Sequence, residues 1–178
     1  MDAMALIDTF APAGPIGICG IAVVEKLMPV IPSYVLFVTL GMMMPAASPG
    51  DLAVVMAATA SGSTFGSLCW YGLGFALGPQ RSDAMMERFG RYIFLTPSLY
   101  RRMAKAYARN HFWVAVISQT IPTVRIYSAI PAGVLNLAIT KFLAATLVGS
   151  LAWSGPLLSL GYMLRQQSAD VASRLIGL

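Results

Sequence analysis

Charge is what this sequence has least of. Of its 178 residues only 11% are Asp, Glu, Lys or Arg, while 57% are hydrophobic, against roughly 25% charged in ordinary soluble domains. With a mean hydropathy of +0.72, that balance excludes a soluble fold and implies an integral membrane protein. Histidine and cysteine are scarce as well: His111 stands alone, and Cys19 and Cys69 form no metal-like spacing with it or with each other. Most metal and nucleophile–base chemistries therefore have no residues to be built from, and no cofactor is expected. Both cysteines lie in apolar surroundings and are read as packing residues. His111, at the border of a basic and an apolar stretch, is read as interfacial. The opening MDAMALID carries Asp2 and Asp8 but no Lys or Arg, so it lacks the basic n-region of a secretory signal, and the whole chain is read as mature. Linkers and low-complexity tails are also missing, which leaves one membrane domain over 1–178.

The few charges are unevenly placed. Between Pro79 and His111 stand Arg81, Arg88, Arg91, Arg101, Arg102, Lys105 and Arg109 against Asp83 and Glu87, which accounts for the whole net charge of +5. The positive-inside rule puts this segment, 79–111, in the cytoplasm. Within it Thr96 and Pro97 make a good cap and first-turn pair. Tyr100, Met103, Ala104, Tyr107 and Ala108 recur at helical spacing, with basic residues around much of the remaining circumference. The pattern predicts an amphipathic helix on an anionic leaflet, and tethering at the bilayer argues against nucleic acid as a partner.

Long uncharged runs occur twice. Leu52 to Gly78 is 27 residues without a charge and Phe142 to Leu164 is 23; at about 1.5 Å per residue either exceeds a hydrocarbon core of ~30 Å. These are predicted spanning helices, 52–78 and 142–164. Gly62, Gly66, Gly74 and Gly78 give the first of them small residues at four-residue spacing for close helix contact. The glycines of GLGFALG are assigned to packing, because no P-loop lysine follows.

Two other apolar regions are interrupted. From Phe112 to Ile121 only ten residues precede Pro122, and after Arg125 come Pro131 and Gly133; the region 10–44 repeats the design with Glu25, Pro29 and Pro32. Neither arm of either region can cross alone. Each is predicted to be a re-entrant hairpin (10–44 and 112–140), with irregular backbone near mid-membrane shielded by protein or water. The alternative is a single kinked spanning helix. The fold class is thus an all-α membrane protein: two oppositely oriented hairpins plus spanning helices in an inverted repeat, with the basic segment between the halves. Broken apolar segments at matching positions of two halves point to a transporter's binding site.

Within the apolar parts Glu25 and Arg125 are the conspicuous charges, while Lys26 and Lys141 are expected to snorkel or to sit at hairpin ends. A charge at mid-bilayer costs roughly 2.5–3.5 kcal/mol even on the lenient insertion scale, so Glu25 and Arg125 are expected to meet in a polar cleft. A fixed ion pair holding the hairpins together is the architectural reading. The functional reading starts from the guanidinium, which stays protonated and binds phosphate bidentately. Glu25 would take up a proton when its partner turns to an incoming anion. Membrane lipids with phosphate-bearing headgroups, and protons, are then the expected partners.

GICGIAVVEKLMPVIPSYVLFVTLG, GSTFGSLCWYGLGFALG, SQTIPTVRIYSAIPAGVLNLAITKF and GSLAWSGPLLSLGYML, over roughly 14 to 164, resemble successive signatures of the DedA family, also called the SNARE-associated or VTT-domain superfamily. The resemblance implies paired re-entrant hairpins and lipid movement between leaflets. Its bacterial members are associated with recycling of undecaprenyl phosphate and with proton-motive-force and drug-tolerance phenotypes, its eukaryotic members with phospholipid scrambling. The implied location is the inner membrane, multi-pass. The family pattern has two acids in hairpin one and two arginines in hairpin two. Glu25 matches the first acid and Arg125 the second arginine, whereas Tyr34 stands at the second acid and Gln119 at the first arginine. Tyr34 and Gln119 are expected to substitute by a neutral hydrogen bond. A single arginine is expected to bind a dianionic phosphate less tightly, which favours a zwitterionic or mixed phospholipid.

The leading reading is a non-enzymatic flippase or scramblase with Glu25, Arg125, Tyr34 and Gln119 at the substrate and Pro29, Pro32, Pro122, Pro131 and Gly133 shaping the hairpins. The alternative is a proton-coupled transporter of small cations or drugs, with Glu25 as the coupling acid. A structural or assembly factor is the reading from a different class. Partly exposed hairpin tips are compatible with a homodimer. The last segment, 165–178, is too short and polar to span, and is read as an interfacial tail or a subunit contact.

Overall fold

Apolar sequence without interruption forms long helices here, and proline divides the rest into short ones. The computed structural model of the chain describes residues 3–28, 32–43, 49–89 and 97–176, and all regular structure among them is helical. Helix α1 (Ala3–Phe10) and a 3-10 turn (Ala11–Ala13) lead into α2 (Gly14–Leu27), followed by α3 (Ser33–Met43) and the long α4 (Pro49–Phe89). Then come α5 (Pro97–Arg109), α6 (His111–Thr120), α7 (Pro122–Tyr127), α8 (Ala129–Val134) and the long α9 (Ile139–Ile176).

Two stretches, Gly50–Gly78 of α4 and Ile139–Ser168 of α9, are long and apolar enough to cross a bilayer. They enclose the predicted spans. α4 is interrupted at Gly78 (φ 66, ψ 176), a conformation open essentially to glycine alone, where the apolar run gives way to polar sequence. The segment 165–178 carries helix α9 onward to Ile176, and it holds no proline or glycine before Gly177 to stop it.

The broken regions break at proline. α6 ends at Thr120, Ile121 is extended (φ −102, ψ 114), and Pro122 opens α7, where its missing N–H costs nothing. Pro131 behaves differently from expectation, because it lies inside α8 and does not end an arm. It cannot donate to the Tyr127 carbonyl, and the helix is divided into α7 and α8 at Ser128. Between α2 and α3, Ser33 Oγ donates to Glu25 Oε1. Along one continuous helix residues eight apart are separated by about 12 Å, so α2 and α3 are not one continuous helix.

The chain divides into two compact units. Unit 1 comprises Met1–Gly62 and Leu151–Leu178, and unit 2 comprises Ser63–Ser150. Ile7, Ile18, Ile21, Leu36, Phe37, Leu40, Val55 and Leu158 form the core of unit 1. Tyr71, Tyr107, Ala129, Ala132, Leu137 and Phe142 anchor that of unit 2.

Each unit contains the same two helix crossings. In unit 1, a methyl group on Gly62 of α4 would overlap the Cys19 carbonyl of α2 and press on the Ala22 side chain. In unit 2, one on Gly149 of α9 would meet the Val116 carbonyl of α6 at 2.7 Å and the Gln119 side chain at 2.8 Å. The second crossing is reciprocal. Gly41 of α3 lies against the Leu158 carbonyl of α9, and Gly161 against the Val38 carbonyl; likewise Gly74 of α4 lies against the Ile130 carbonyl of α8, and Gly133 against that of Tyr71. Backbones approach this closely only without Cβ atoms. Twelve residues separate Gly62 from Gly74, and twelve separate Gly149 from Gly161.

Exposure is inverted relative to a soluble protein. Phe65, Phe75, Trp113, Ile117, Val148 and Met163 stand exposed, while Thr59, Ser63, Ser67, Thr146, Ser150 and Ser154 are buried. Cys69, expected to pack, is exposed on α4, and Cys19 is half-buried. An apolar exterior over a hydroxyl-bearing interior is the arrangement that lipid as solvent favours.

Candidate functional site

The first interrupted region places its charges on the protein-facing side of α2. The buried residues Gly17, Ile18, Ile21, Ala22, Glu25 and Lys26 recur at helical spacing, so the last turn of the apolar face ends in an acid and a base. Glu25 is 3% exposed and Lys26 is 0% exposed. Of the two places expected for Lys26, snorkelling to the surface or an arm's end, it has the second: its side chain is enclosed with the rest of the face in the last turn of α2. As the basic residue of the last turn of α2, it also lies by the carbonyl end of the helix, which favours a cation. Ser33 Oγ, at the start of α3, donates to the Glu25 carboxylate. Pro32 is exposed, and Tyr34 is 56% exposed. Pro29 lies outside the described residues, as does Thr96.

The second interrupted region places Arg125 on α7 at 1% exposure and Gln119 on α6 likewise at 1%. The Arg125 N–H donates to the Ile121 carbonyl at 2.9 Å, tying the first turn of α7 to the extended residue before Pro122. Ser128 Oγ contacts the Arg125 carbonyl at 3.5 Å, and Ser118 Oγ donates to the Ala115 carbonyl at 2.8 Å. Gln119 is positioned by the α6–α9 crossing, where its Cβ and Cγ fill the space left by Gly149. Pro131 and Gly133 are buried. Glu25 and Tyr34 belong to unit 1, Gln119 and Arg125 to unit 2.

The basic helix α5 follows its predicted pattern: Met103 and Tyr107 are buried while Arg101, Arg102, Lys105 and Arg109 are exposed. Asn110 caps the next helix, its side chain accepting from the Trp113 N–H at 3.4 Å. Tyr107 is buried where α5 packs on α6 and α8. Burial pushes its phenol pKa up from 10.0, so the phenol is neutral near pH 7.

A hydroxyl series is the part that sequence reasoning missed. Thr59, Ser63 and Ser67 follow one another at four-residue steps on α4, and Thr146, Ser150 and Ser154 do so on α9; all six are no more than 2% exposed. Ser67 Oγ donates to the Ser63 carbonyl at 2.9 Å. Thr59 Oγ1, Ser63 Oγ and Thr146 Oγ1 have no hydrogen-bond partner among the described residues. Such hydroxyls are open to water or to a polar headgroup as donors and acceptors. The signal was present in the chain: AATASGS at 57–63 and AATLVGS at 144–150 begin one shared pattern, a threonine, then glycine-serine, a second serine and a final glycine at identical spacings.

Comparison with known proteins completes the description of the site. A family model for the VTT domain matches residues 31–163. The chain belongs to the VTT-domain (DedA) family. Relatives of this VTT protein include an alkaline phosphatase-like protein of Lactococcus lactis subsp. cremoris (strain MG1363), 28% identical over 160 residues, or 89% of this chain and 74% of that protein. Another is undecaprenyl phosphate transporter A of Staphylococcus aureus (strain NCTC 8325 / PS 47), 26% identical over 140 residues, or 79% of this chain and 68% of that protein. No solved structure matches it significantly. The VTT match covers α3 to α8 and α9 as far as Met163. Family membership and two candidate spans make this a membrane protein of a transporter-bearing family.

Proposed function

We propose that this protein moves phosphate-bearing lipid between leaflets of the inner membrane without chemical conversion, with Arg125 as the headgroup contact and Glu25 as its counter-charge. One observation carries the reading: a buried acid and a buried arginine stand at the breaks of two interrupted apolar regions in a VTT-family chain. The printed name of the staphylococcal relative, a transporter of undecaprenyl phosphate, supports a prenyl phosphate or phospholipid as cargo. The name of the lactococcal relative also speaks of phosphate. Among the described residues, however, no group of three or more His, Cys, Asp or Glu side chains is arranged to hold a metal ion.

In this reading the two broken regions are re-entrant hairpins of opposite orientation. Support comes from the paired crossings, which recur at the same spacing in both long helices. The acyl chains stay in the bilayer, and only the headgroup needs polar surroundings.

The test is leaflet exchange of labelled lipids in proteoliposomes of the full chain. Wild type is expected to equilibrate a phosphate lipid, with Glu25→Gln and Arg125→Ala each slower by tenfold or more, on the order of the ~1.4 kcal/mol that one charge-assisted contact contributes. Unchanged exchange in both variants would sink the reading.

A further inference from the structure

A cavity in unit 1 has no part in that account. Residues of α1, α2, α3 and the first turns of α4 line it, all of them within unit 1, and its volume is about 420 Å³. That is many times the ~30 Å³ share of a water molecule, and it falls within the roughly 300–1,000 Å³ of pockets that take small organic molecules. The floor is apolar: Ile7, Ile18, Leu40 and Val55 line the space and are each no more than 9% exposed. The rim is not. Asp8 of α1 and Asp51 in the first turn of α4 line the same space, and both are exposed. They are the only charged residues among the described ones that line it. Lys26 is the one basic side chain between Met1 and Gln80, and it stands in the last turn of α2, whereas the cavity borders the start of that helix.

An aliphatic floor favours an apolar body, and two carboxylates on one rim favour a positive end. A phospholipid meets only the first demand. Even in an aminophospholipid the phosphate stands between the acyl chains and the ammonium, so it would be brought against the two aspartates. The described lining holds no aromatic ring, which leaves a quaternary ammonium without a cation–π partner. Carboxylates, in contrast, accept hydrogen bonds from an ammonium that carries N–H groups. We propose that this cavity is a binding site for a protonated amine borne directly on an apolar body, with the body on the Ile7–Ile18–Leu40–Val55 floor and the ammonium at Asp8 and Asp51. The site is separate from Glu25 and Arg125, and the inference stands or falls independently of the lipid-transport reading.

The probe is tritiated 1-adamantanamine, a rigid hydrocarbon cage with one primary ammonium. Its binding to the full chain in phosphatidylcholine nanodiscs is read by scintillation proximity, and wild type is expected to saturate at about one probe per chain. Asp8→Asn and Asp51→Asn, both at exposed positions, are each expected to weaken binding about threefold, and the double variant about tenfold. Val54 lines the cavity and is 48% exposed, so Val54→Phe narrows the space without disturbing the core and is expected to weaken binding by about tenfold or more. Competition defines the chemistry. Uncharged 1-adamantanol is expected to displace the probe about tenfold less well than unlabelled amine, and the trimethylammonium analogue about threefold less well. Equal displacement by the alcohol, or wild-type affinity in the double variant, overturns the assignment. So does uptake that never saturates and is alike in every variant, which is partition into the bilayer. Displacement by phosphatidylethanolamine added to the disc overturns it in favour of a lipid headgroup.

Discussion

Gly74 and Gly133 face each other where α4 and α8 cross, each lying on a carbonyl of the opposite helix, that of Ile130 and that of Tyr71. Gly72, two residues earlier on α4, has nothing within 4 Å of where its Cβ would be. Alanine at these two positions is therefore expected to act in opposite directions. Gly72→Ala gains about 0.5–1 kcal/mol from reduced backbone freedom, whereas Gly74→Ala forces the backbones apart at a cost of about 1–3 kcal/mol or more. Thermal unfolding in detergent followed by circular dichroism measures both, and equal effects would count against the crossing.

How much of this was legible beforehand depended on whether the signal was local. Long uncharged runs and prolines act through neighbours in sequence, so the two spans and both breaks could be read directly. The exposed arginines of α5 followed from helical spacing in the same way. Gly62 and Gly74 were recognised as packing residues, but not that Gly149 and Gly161 repeat them, because α9 lacks the dense run of glycines that drew attention to α4. For Lys26 the sequence left two places open, snorkelling or an arm's end, and only the packing of α2 shows that its face is turned inward. Pro131 was taken as a helix end, yet local geometry accommodates it with one lost hydrogen bond.

Arg125 and its charge can be separated. Arg125→Lys keeps a cation but loses the planar fork, and exchange of a phosphate lipid is expected to fall by about tenfold. Retention of wild-type exchange would favour an architectural role, in which any cation suffices. The comparison is made in proteoliposomes with Arg125→Ala as the lower reference.

The buried hydroxyls make a stability prediction of unusual sign. Thr146 Oγ1 is buried without a hydrogen-bond partner among the described residues, so Thr146→Val is expected to be neutral or to stabilise by up to about 1–3 kcal/mol. Tyr71 provides the contrast. Its hydroxyl donates to the Leu137 carbonyl at 2.6 Å, and Tyr71→Phe is expected to cost about 0.5–1.5 kcal/mol. Denaturation in mixed micelles ranks the two variants.

Alkaline pH tests the seat of α5. The Tyr107 pKa is raised in the folded protein above 10.0, chiefly by burial. Below that value folded and unfolded forms both hold the proton, and stability is unaffected. Above it the unfolded form releases the proton first, so stability falls as pH rises. Tyr107→Phe is expected to remove that part of the decline and, because the hydroxyl has no hydrogen-bond partner among the described residues, to leave neutral-pH stability unchanged or slightly raised. Melting curves at neutral pH and above pH 10 check both halves.

The make-up of unit 1 also constrains biogenesis. Its residues come from the two ends of the chain, and Gly41 rests on a helix whose contact, Gly161, leaves the ribosome 120 residues later. The face of α3 that carries Gly41 therefore stays uncovered by its partner helix until residue 161 has been made, and the packing of α3 on α9 is necessarily a late event.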